Sequence, residues 1–481
     1  MRLSNATLGR LPRSVETPGY ARSAVTPGIV HLGIGAFHRA HQAVVVDDVL
    51  ARDPSWGIVG ASLRRPDTKD ALTPQDGLYS VLVKDNAARR IRVVGSVLGV
   101  IDAAHEKERL LARMADPATR VVSLTITEKG YCYNAATGGL DLGHPEIVAD
   151  LAHPRDPATA AGIVAEALRR RREAGLGPFT VVSCDNLPHN GKVAGRVFAE
   201  YAEAVDAGLG RWVRDNVPFP GTMIDRIVPA TTDADRAEVS TLLGLEDAWP
   251  VMAEPFLQWV IEDRFAGARP ALEAGGAQFV SDVAPYERMK LRMLNGTHSS
   301  MAYLGYLSGY EFVAEVIAQP DFHRFVSNEL SQEIAPTLGM PKAATDDYAR
   351  SLLERYSNTA MKHRTYQIAM DGSQKLPQRL LGTIADRLKT GGTIERLCLA
   401  VAAWMIYARG MDLGGRPIVV QDPMAKEFAM IDPERMVEGY LRLDRVFTPE
   451  LAGNARFRNT LEAKLRLLRE AGAAEAVRQT G

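Results

Sequence analysis

The sequence predicts an α/β protein, with a Rossmann-like N-terminal domain on a mostly parallel sheet and a mainly α-helical C-terminal domain. Three observations predict it. Between about residues 28 and 185, short β-branched runs ("GIVHLGIG", "WGIVGASL", "YSVLVK", "RIRVVGSV", "RVVSLTIT", "FTVVSCDN") alternate with helical patterns. A glycine pair closes the first of these runs. After "GTMIDRIVPAT" (221–231) strand patterns become rare, and from about Tyr286 to Gly481 the periodicity is almost wholly helical with short Gly/Pro breaks. A chain of 481 residues has room for two or three domains, and the boundary falls between 1–285 and 286–481.

"IVHLGIGAFHRAHQ" places Gly33 and Gly35 at the end of an apolar strand, before a helix expected from about Ala40 to Ala51. In a dinucleotide-binding turn the first glycine makes the tight bend and the second lets backbone N–H groups, here those of Ala36 and Phe37, approach a pyrophosphate. His38 occupies the place of the third glycine, so the motif also fits a plain strand-to-helix turn. After the second strand comes Asp67, a candidate acceptor for the ribose hydroxyls, although the gap from the glycines exceeds the usual roughly 20 residues. Arg64 and Arg65 beside it leave NADP open next to NAD, since an Arg there can meet a 2′-phosphate. A crossover helix is expected from Asp156 as N-cap and Pro157 at the first position through Gly175, with Arg169 to Arg172 at its solvated end. The first twenty-odd residues and the last few are expected to be disordered.

"YERMKLRMLNGTHSSMAYLGYLSGY" (286–310) reads as one helix that carries Lys290, Asn295 and His298 among apolar residues. At about 100° per residue, Glu287, His298 and Asn295 fall at roughly 60°, 80° and 140° from Lys290, so the four share one side. A lysine on such a wall acts as a general base once burial lowers its pKa from about 10.4 toward 7 or 8. Asn295 can donate to an oxygen that gains charge. Asn186, at the carboxyl end of "FTVVSCDN", is the candidate second donor, because ligands of α/β sheets sit beyond the carboxyl ends of strands. His298 would then orient the substrate. The same spacing also suits a snorkelling lysine and a satisfied core histidine.

The bulk composition narrows the partner. Hydrophobic residues make up 46% and charged residues 24%, and no run of eighteen apolar residues occurs, so no membrane partner is expected. The first twenty residues hold no apolar stretch of signal-peptide length, which makes the cytoplasm the expected compartment. Cys132, Cys184 and Cys398 are far apart without metal-ligand spacing, so buried thiols and no metal are expected. With 57 basic and 58 acidic residues there is no net field for nucleic acid, and a small molecule is the expected ligand. HExxH, GxSxG and P-loop motifs are absent, which disfavours zinc hydrolysis, serine acyl transfer and P-loop chemistry.

The stretches "GIGAFHRAHQ", "VSLTITEKGYC", "FTVVSCDNLPHNG", "MIDRIVPAT", "EPFLQWVIED" and "KLRMLNGTHS" resemble, in this order, the mannitol dehydrogenase family of polyol-specific long-chain dehydrogenases. The resemblance runs from about residue 28 into the C-terminal region and includes the specific KxxxxNxxH pattern. It implies metal-independent, NAD(P)-dependent oxidation of a secondary alcohol in a six-carbon sugar derivative. It gives Lys290 the role of general base, Asn186 and Asn295 that of the oxyanion hole, and His298 that of positioning the substrate oxygen. Glu287 matches the family's gate for protons, Asp225 in "MIDRI" an active-site acid, and Asp67 the acid that favours NAD. Residues 363–380, "HRTYQIAMDGSQKLPQRL", look more like the fructuronate reductase (D-mannonate oxidoreductase) branch than like mannitol 2-dehydrogenases. Lys375 keeps the family's substrate-contacting lysine, whereas Gln367 stands where mannitol enzymes place an Arg. His363 and Arg364 lie one turn earlier, and with Lys375 they are the expected clamp for a uronate carboxylate. Alternatively His363 and Arg364 pair with a nearby acid or face solvent. Glu128 and Lys129 follow another strand end, Lys129 as a second anion contact or a surface charge. The expected substrate is a hexonate or uronate, with D-mannitol or another polyol as the alternative and a non-catalytic nucleotide-binding regulator as the reading from another class. Oligomeric state stays open between monomer and dimer.

Overall fold

The computed structural model describes residues 1–86, 88–134 and 137–481, which divide into two compact units, Met1–Ala284 and Pro285–Gly481. The first is built on five strands: β1 (Pro27–Leu32), β2 (Gly57–Ser62), β3 (Val97–Asp102), β4 (Val121–Leu124) and β5 (Thr180–Ser183). Their order is β5-β4-β1-β2-β3 and every pairing is parallel, with Leu32 opposite both Ala61 and Leu124. This is the doubly wound order, in which the direction of winding reverses at β1. The strands are apolar almost without alternation because helices cover both faces. Val30, Leu32, Val122 and Val181 pack with Ile163 and Leu168 of the helix Ala160–Glu173 and Val197 and Phe198 of the helix Asn190–Val205. Ile29, Ile58 and Val182 pack with Val45, Val46 and Val49 of the helix Gln42–Val49.

Five local expectations are corrected. "YSVLVK" and "RIRVV" are not in the parallel sheet: Tyr79–Lys84 and Arg89–Val94 form an antiparallel hairpin in a second sheet with Val15–Glu16 and Val251–Ala253. The third parallel strand is β3 instead. The first helix starts earlier, as Ala36–Ala40, and breaks at His41 (φ −125°, ψ −88°) before Gln42–Val49. The crossover helix begins at Ala160 because Thr159 caps it, its Oγ1 accepting from Gly162 N at 3.1 Å, while the Asp150 carboxylate binds the N–H groups of Ala158 and Thr159. Of its arginine run only Arg172 is a solvated end. Arg169 and Arg170 pair with buried Glu166, and buried Arg171 donates to the carbonyls of Asp116, Thr119 and Gly177. The chain ends are held as well: Leu3 is fully buried with its N–H on Glu246 O, and Ala473–Thr480 is helical. A third sheet pairs Thr222–Asp225 with Gln258–Glu262 and the latter with Gln278–Val280.

The second unit is helical. At its centre runs Glu395–Ala408, "ERLCLAVAAWMIYA", in which every residue from Arg396 on is buried. A helix apolar on all sides has to be surrounded, and it packs against Thr297–Leu307 and Ala455–Ala471. Cutting Leu399 back to Ala there would cost about 2–5 kcal/mol.

The helix of 286–310 is not one α-helix. Ala284–Met289 is α-helical, Lys290–Gly296 is a π-helix, and Thr297–Leu307 is α-helical again. Two further π segments, Glu329–Ile334 and Pro377–Leu381, pack against the first.

Candidate active site

In the first unit, the carboxyl ends of β1, β4 and β5 carry the expected cofactor turn and two loops. Gly33 has φ +89°, and a Cβ there would stand 2.2 Å from the carbonyl oxygen of Thr125, so both conformation and contact require glycine. A Cβ on Gly35 would meet nothing nearer than Gly33 O at 3.8 Å. That open cradle, at the start of the helix Ala36–Ala40, fits the close approach of a pyrophosphate to the backbone of Gly33, Gly35, Ala36 and Phe37. His38, in place of the third glycine, lies buried beneath the turn and stacks on His31 at 3.4 Å. His31 bridges Ser123 Oγ and Thr125 Oγ1 at 2.8 Å each, and Thr125 Oγ1 donates to Gly33 O. Burial pushes the His31 imidazole down to about 3, so it is neutral there. Asp67 opens the helix Asp67–Leu72, exposed and five residues beyond β2.

The loops after β4 and β5 are tied together by a residue that sequence reasoning missed. The Asp185 carboxylate accepts from Ile126 N, Thr127 N and Tyr131 Oη at 3.1, 2.7 and 2.7 Å. This holds Thr127 at φ 62°, a backbone cost of order 1–3 kcal/mol. Asn186 follows, exposed. Asn190 Nδ2 binds Asp185 O and Thr222 O, and its Oδ1 accepts from Thr222 N, tying the turn that carries Asn186 to the strand that ends in buried Asp225. Glu128 and Lys129 line a cavity of about 330 Å³ with Arg64, Cys132, Tyr133, His144 and Glu146. Arg64 pairs there with Glu146 at 3.2 Å. The ligand atoms of Cys132, His144 and Glu146 converge within 4.8 Å, but burial pushes the Cys132 thiol up to about 11.

In the second unit the π-helix changes the geometry expected of Lys290, Asn295 and His298. A π turn closes i→i+5, so Lys290 and Asn295, five apart, come one above the other instead of diverging as on an α-helix. Hydroxyls bond back to the widened turn: Thr297 Oγ1 to Met293 O at 2.6 Å, Ser299 Oγ to Asn295 O at 3.1 Å, and Tyr356 Oη to Leu294 O at 3.1 Å. His298, 7% exposed, lies 4.8 Å from the Tyr356 ring and 5.1 Å from the His363 ring. Burial, then His363, Arg355 and Arg379, hold its pKa well below the ordinary value. It is therefore a neutral imidazole whose Nε2 has no partner among the described residues, suited to a hydrogen bond with a substrate oxygen. Burial lowers His363 too. Glu287 is half-buried on the helix that leads into the π segment.

Two of the three expected clamp residues sit on this side of the unit, and the third does not. His363 is beside His298, and Lys375 lies on the helix Gly372–Leu376, which continues into the π segment packed on Lys290–Gly296. Arg364 is on the surface: its Nη1 pairs with Glu311, its side chain is 54% exposed, and it lies over the Phe312 ring. The alternative of a nearby acid is the one observed. Arg379, missed in the sequence, donates from Nη1 to Ser299 Oγ at 3.2 Å. The signal for it was a second cation four residues after Lys375, on the same helical face.

Two family models cover the chain, the mannitol dehydrogenase Rossmann domain over residues 27–274 and the mannitol dehydrogenase C-terminal domain over 282–469. D-mannonate oxidoreductase of Escherichia coli (strain K12) is 45% identical over 476 residues, 96% of this chain and 97% of that protein. Among solved structures, a substrate-free D-sorbitol dehydrogenase superposes with a TM-score of 0.93 at 36% identity, covering 99% of this chain and 100% of that one. Pseudomonas fluorescens mannitol 2-dehydrogenase, in a ternary complex with NAD and D-mannitol, does so with a TM-score of 0.85 at 36% identity, covering 100% and 99%. A Rossmann unit with this turn, joined to a helical unit with this lysine, defines an NAD-dependent oxidoreductase acting on CH–OH groups. The chain belongs to the mannitol dehydrogenase family. Among the described residues no helix is long and apolar enough to cross a membrane.

Proposed function

We propose that this enzyme interconverts D-mannonate and D-fructuronate. The observation that carries the reading is the 45% identity to D-mannonate oxidoreductase, and Lys375, a half-buried ammonium with no carboxylate partner among the described residues, is compatible with it. Its Nζ donates to Met370 O at 2.6 Å and Ile368 O at 3.4 Å, and burial, then Arg379, lowers its pKa. A cation held out of water beside a substrate site is suited to an anionic substrate.

In the oxidising direction Lys290 takes the hydroxyl proton, Asn295 donates its amide N–H to the oxygen as it gains charge, and neutral His298 orients that oxygen. NAD, when bound, accepts the hydride. Asn186, Asp225 and Glu287 keep the roles that the resemblance gives them, Asp67 is the ribose acceptor, and Lys129, beside Glu128 after β4, is a second anion contact. The test is a spectrophotometric panel of D-mannonate, D-mannitol, D-arabinitol and D-sorbitol with NAD and with NADP. D-Mannonate should give the largest kcat/KM, with NAD preferred. The mannitol-bound structural relative favours D-mannitol as the second reading, and faster turnover of mannitol than of mannonate would replace the first with it.

A further inference from the structure

Arg379 occupies an unusual position for an arginine. It lies in the π segment Pro377–Leu381, whose backbone presses on the catalytic helix: a Cβ on Gly296 would stand 3.1 Å from Arg379 O. Its guanidinium is largely withdrawn from water, and burial lowers its pKa. No carboxylate pairs with it among the described residues; its polar contacts there are Ser299 Oγ at 3.2 Å and, at the limit, Asn295 O at 3.5 Å, both from Nη1. A guanidinium has five N–H donors in a planar fork, so most of this one is uncommitted. Lys375 stands four residues earlier, and after burial the Arg379 charge is the largest influence that lowers its pKa, with Asp371 and Asp422 acting the other way. Asp422 is already engaged by Ser373 N, Ser373 Oγ and Met424 N. Like charges at i and i+4 repel and desolvation adds to the cost. An anion lying against both would remove both penalties. The same charge reaches His298, whose unpartnered Nε2 marks where the substrate's hydroxyl end is read.

We infer that Arg379, with Lys375 one turn before it, forms the subsite for the carboxylate of a six-carbon sugar acid, and that Arg379 is the residue that selects the acid over the neutral polyol. This rests on the hexonate reading above. It also moves the clamp from Arg364, whose guanidinium is committed to Glu311 on the surface. The fork gives two parallel N–H bonds to a carboxylate, which a polyol's terminal CH2OH cannot return.

The experiment measures KM and kcat for D-mannonate and for D-mannitol with NAD in wild type, Arg379→Gln, Arg379→Lys and Arg364→Ala. Arg379→Gln should raise the mannonate KM by about ten- to hundredfold, as loss of a charge-assisted pair does, and the mannitol KM by less than about threefold. Arg379→Lys should restore part of the difference. Equal losses on both substrates would mean that Arg379 only shapes the helix through Ser299, and a larger mannonate effect in Arg364→Ala would return the clamp to that residue; either overturns the assignment. If Arg379→Gln does not fold, by thermal unfolding and NADH fluorescence, the same split is read on Arg379→Lys. If wild type oxidises mannitol but not mannonate, the hexonate reading fails by itself. The subsite then stands or falls on whether D-mannonate inhibits mannitol oxidation competitively and loses that inhibition in Arg379→Gln.

Discussion

The carbonyl oxygen of Arg379 lies 3.1 Å from the point where a Cβ on Gly296 would stand. The glycine thus sets how closely the segment 377–381 approaches the helix that carries Lys290 and Asn295. A methyl group there needs a shift of a few tenths of an ångström, and misplacement of about 1 Å can cost roughly 10²-fold in rate. Gly296→Ala should therefore lower kcat/KM by about three- to tenfold. Its melting temperature should move little, because the helix gains up to about 1 kcal/mol of propensity. A variant as active as wild type would show that the approach is not tuned.

Lys290→Ala should separate binding from chemistry. Removal of a general base typically costs about 10²- to 10⁴-fold, so turnover should collapse while NADH titrated by fluorescence binds within about threefold of wild type. Turnover near the wild-type level would remove Lys290 as the base.

Gly33→Ala meets two obstacles, a φ of +89° and a backbone oxygen 2.2 Å from the new Cβ. The turn has to move, at a cost above about 1 kcal/mol. NADH affinity should fall along with the unfolding temperature. Unchanged affinity would place the dinucleotide elsewhere.

Glu329 predicts a pH dependence of stability. It is fully buried, Ser300 Oγ donates to its Oε1 at 2.6 Å, and burial pushes its pKa from the ordinary 4.5 up to about 8. The folded state holds the proton between these two values while the unfolded state releases it. The stability linked to that proton is therefore full below the ordinary glutamate value, falls as pH rises, and is gone above the folded value. The melting temperature should decline from pH 5 to pH 8, and Glu329→Gln, a neutral isostere, should flatten that decline and melt higher at pH 8. A wild-type profile that rises over this interval would contradict the assignment.

The glycine turn, the change from a strand-rich to a helical half and a helical stretch over 286–310 bearing Lys290, Asn295 and His298 were readable in the sequence because each follows from local spacing, whereas a role for those three came only from the resemblance. The hairpin of Tyr79–Lys84 and Arg89–Val94 was misplaced because β-branched runs announce a strand without saying which sheet it joins. The π turn was invisible, since the apolar positions of 286–310 fit an α period well enough. Arg379 goes unread beside Arg364 for a related reason. Which of two nearby cations turns inward is settled by Glu311, 53 residues before Arg364 in the chain, and by packing on Gly296, neither of which local pattern reports.

The π turn also makes residue number itself a constraint on how Lys290, Asn295 and His298 are placed. Deleting any one residue between Lys290 and Gly296 would let the segment relax to α-helix. Every side chain on one side of the cut would then swing by the angle of one residue relative to the other side. His298 would leave Tyr356 and His363, and Asn295 would lose its place over Lys290. Substitution scanning would not detect this, because a substitution preserves the count whatever side chain it exchanges. Length variation within these seven positions should therefore be far less tolerated than variation in most of their side chains.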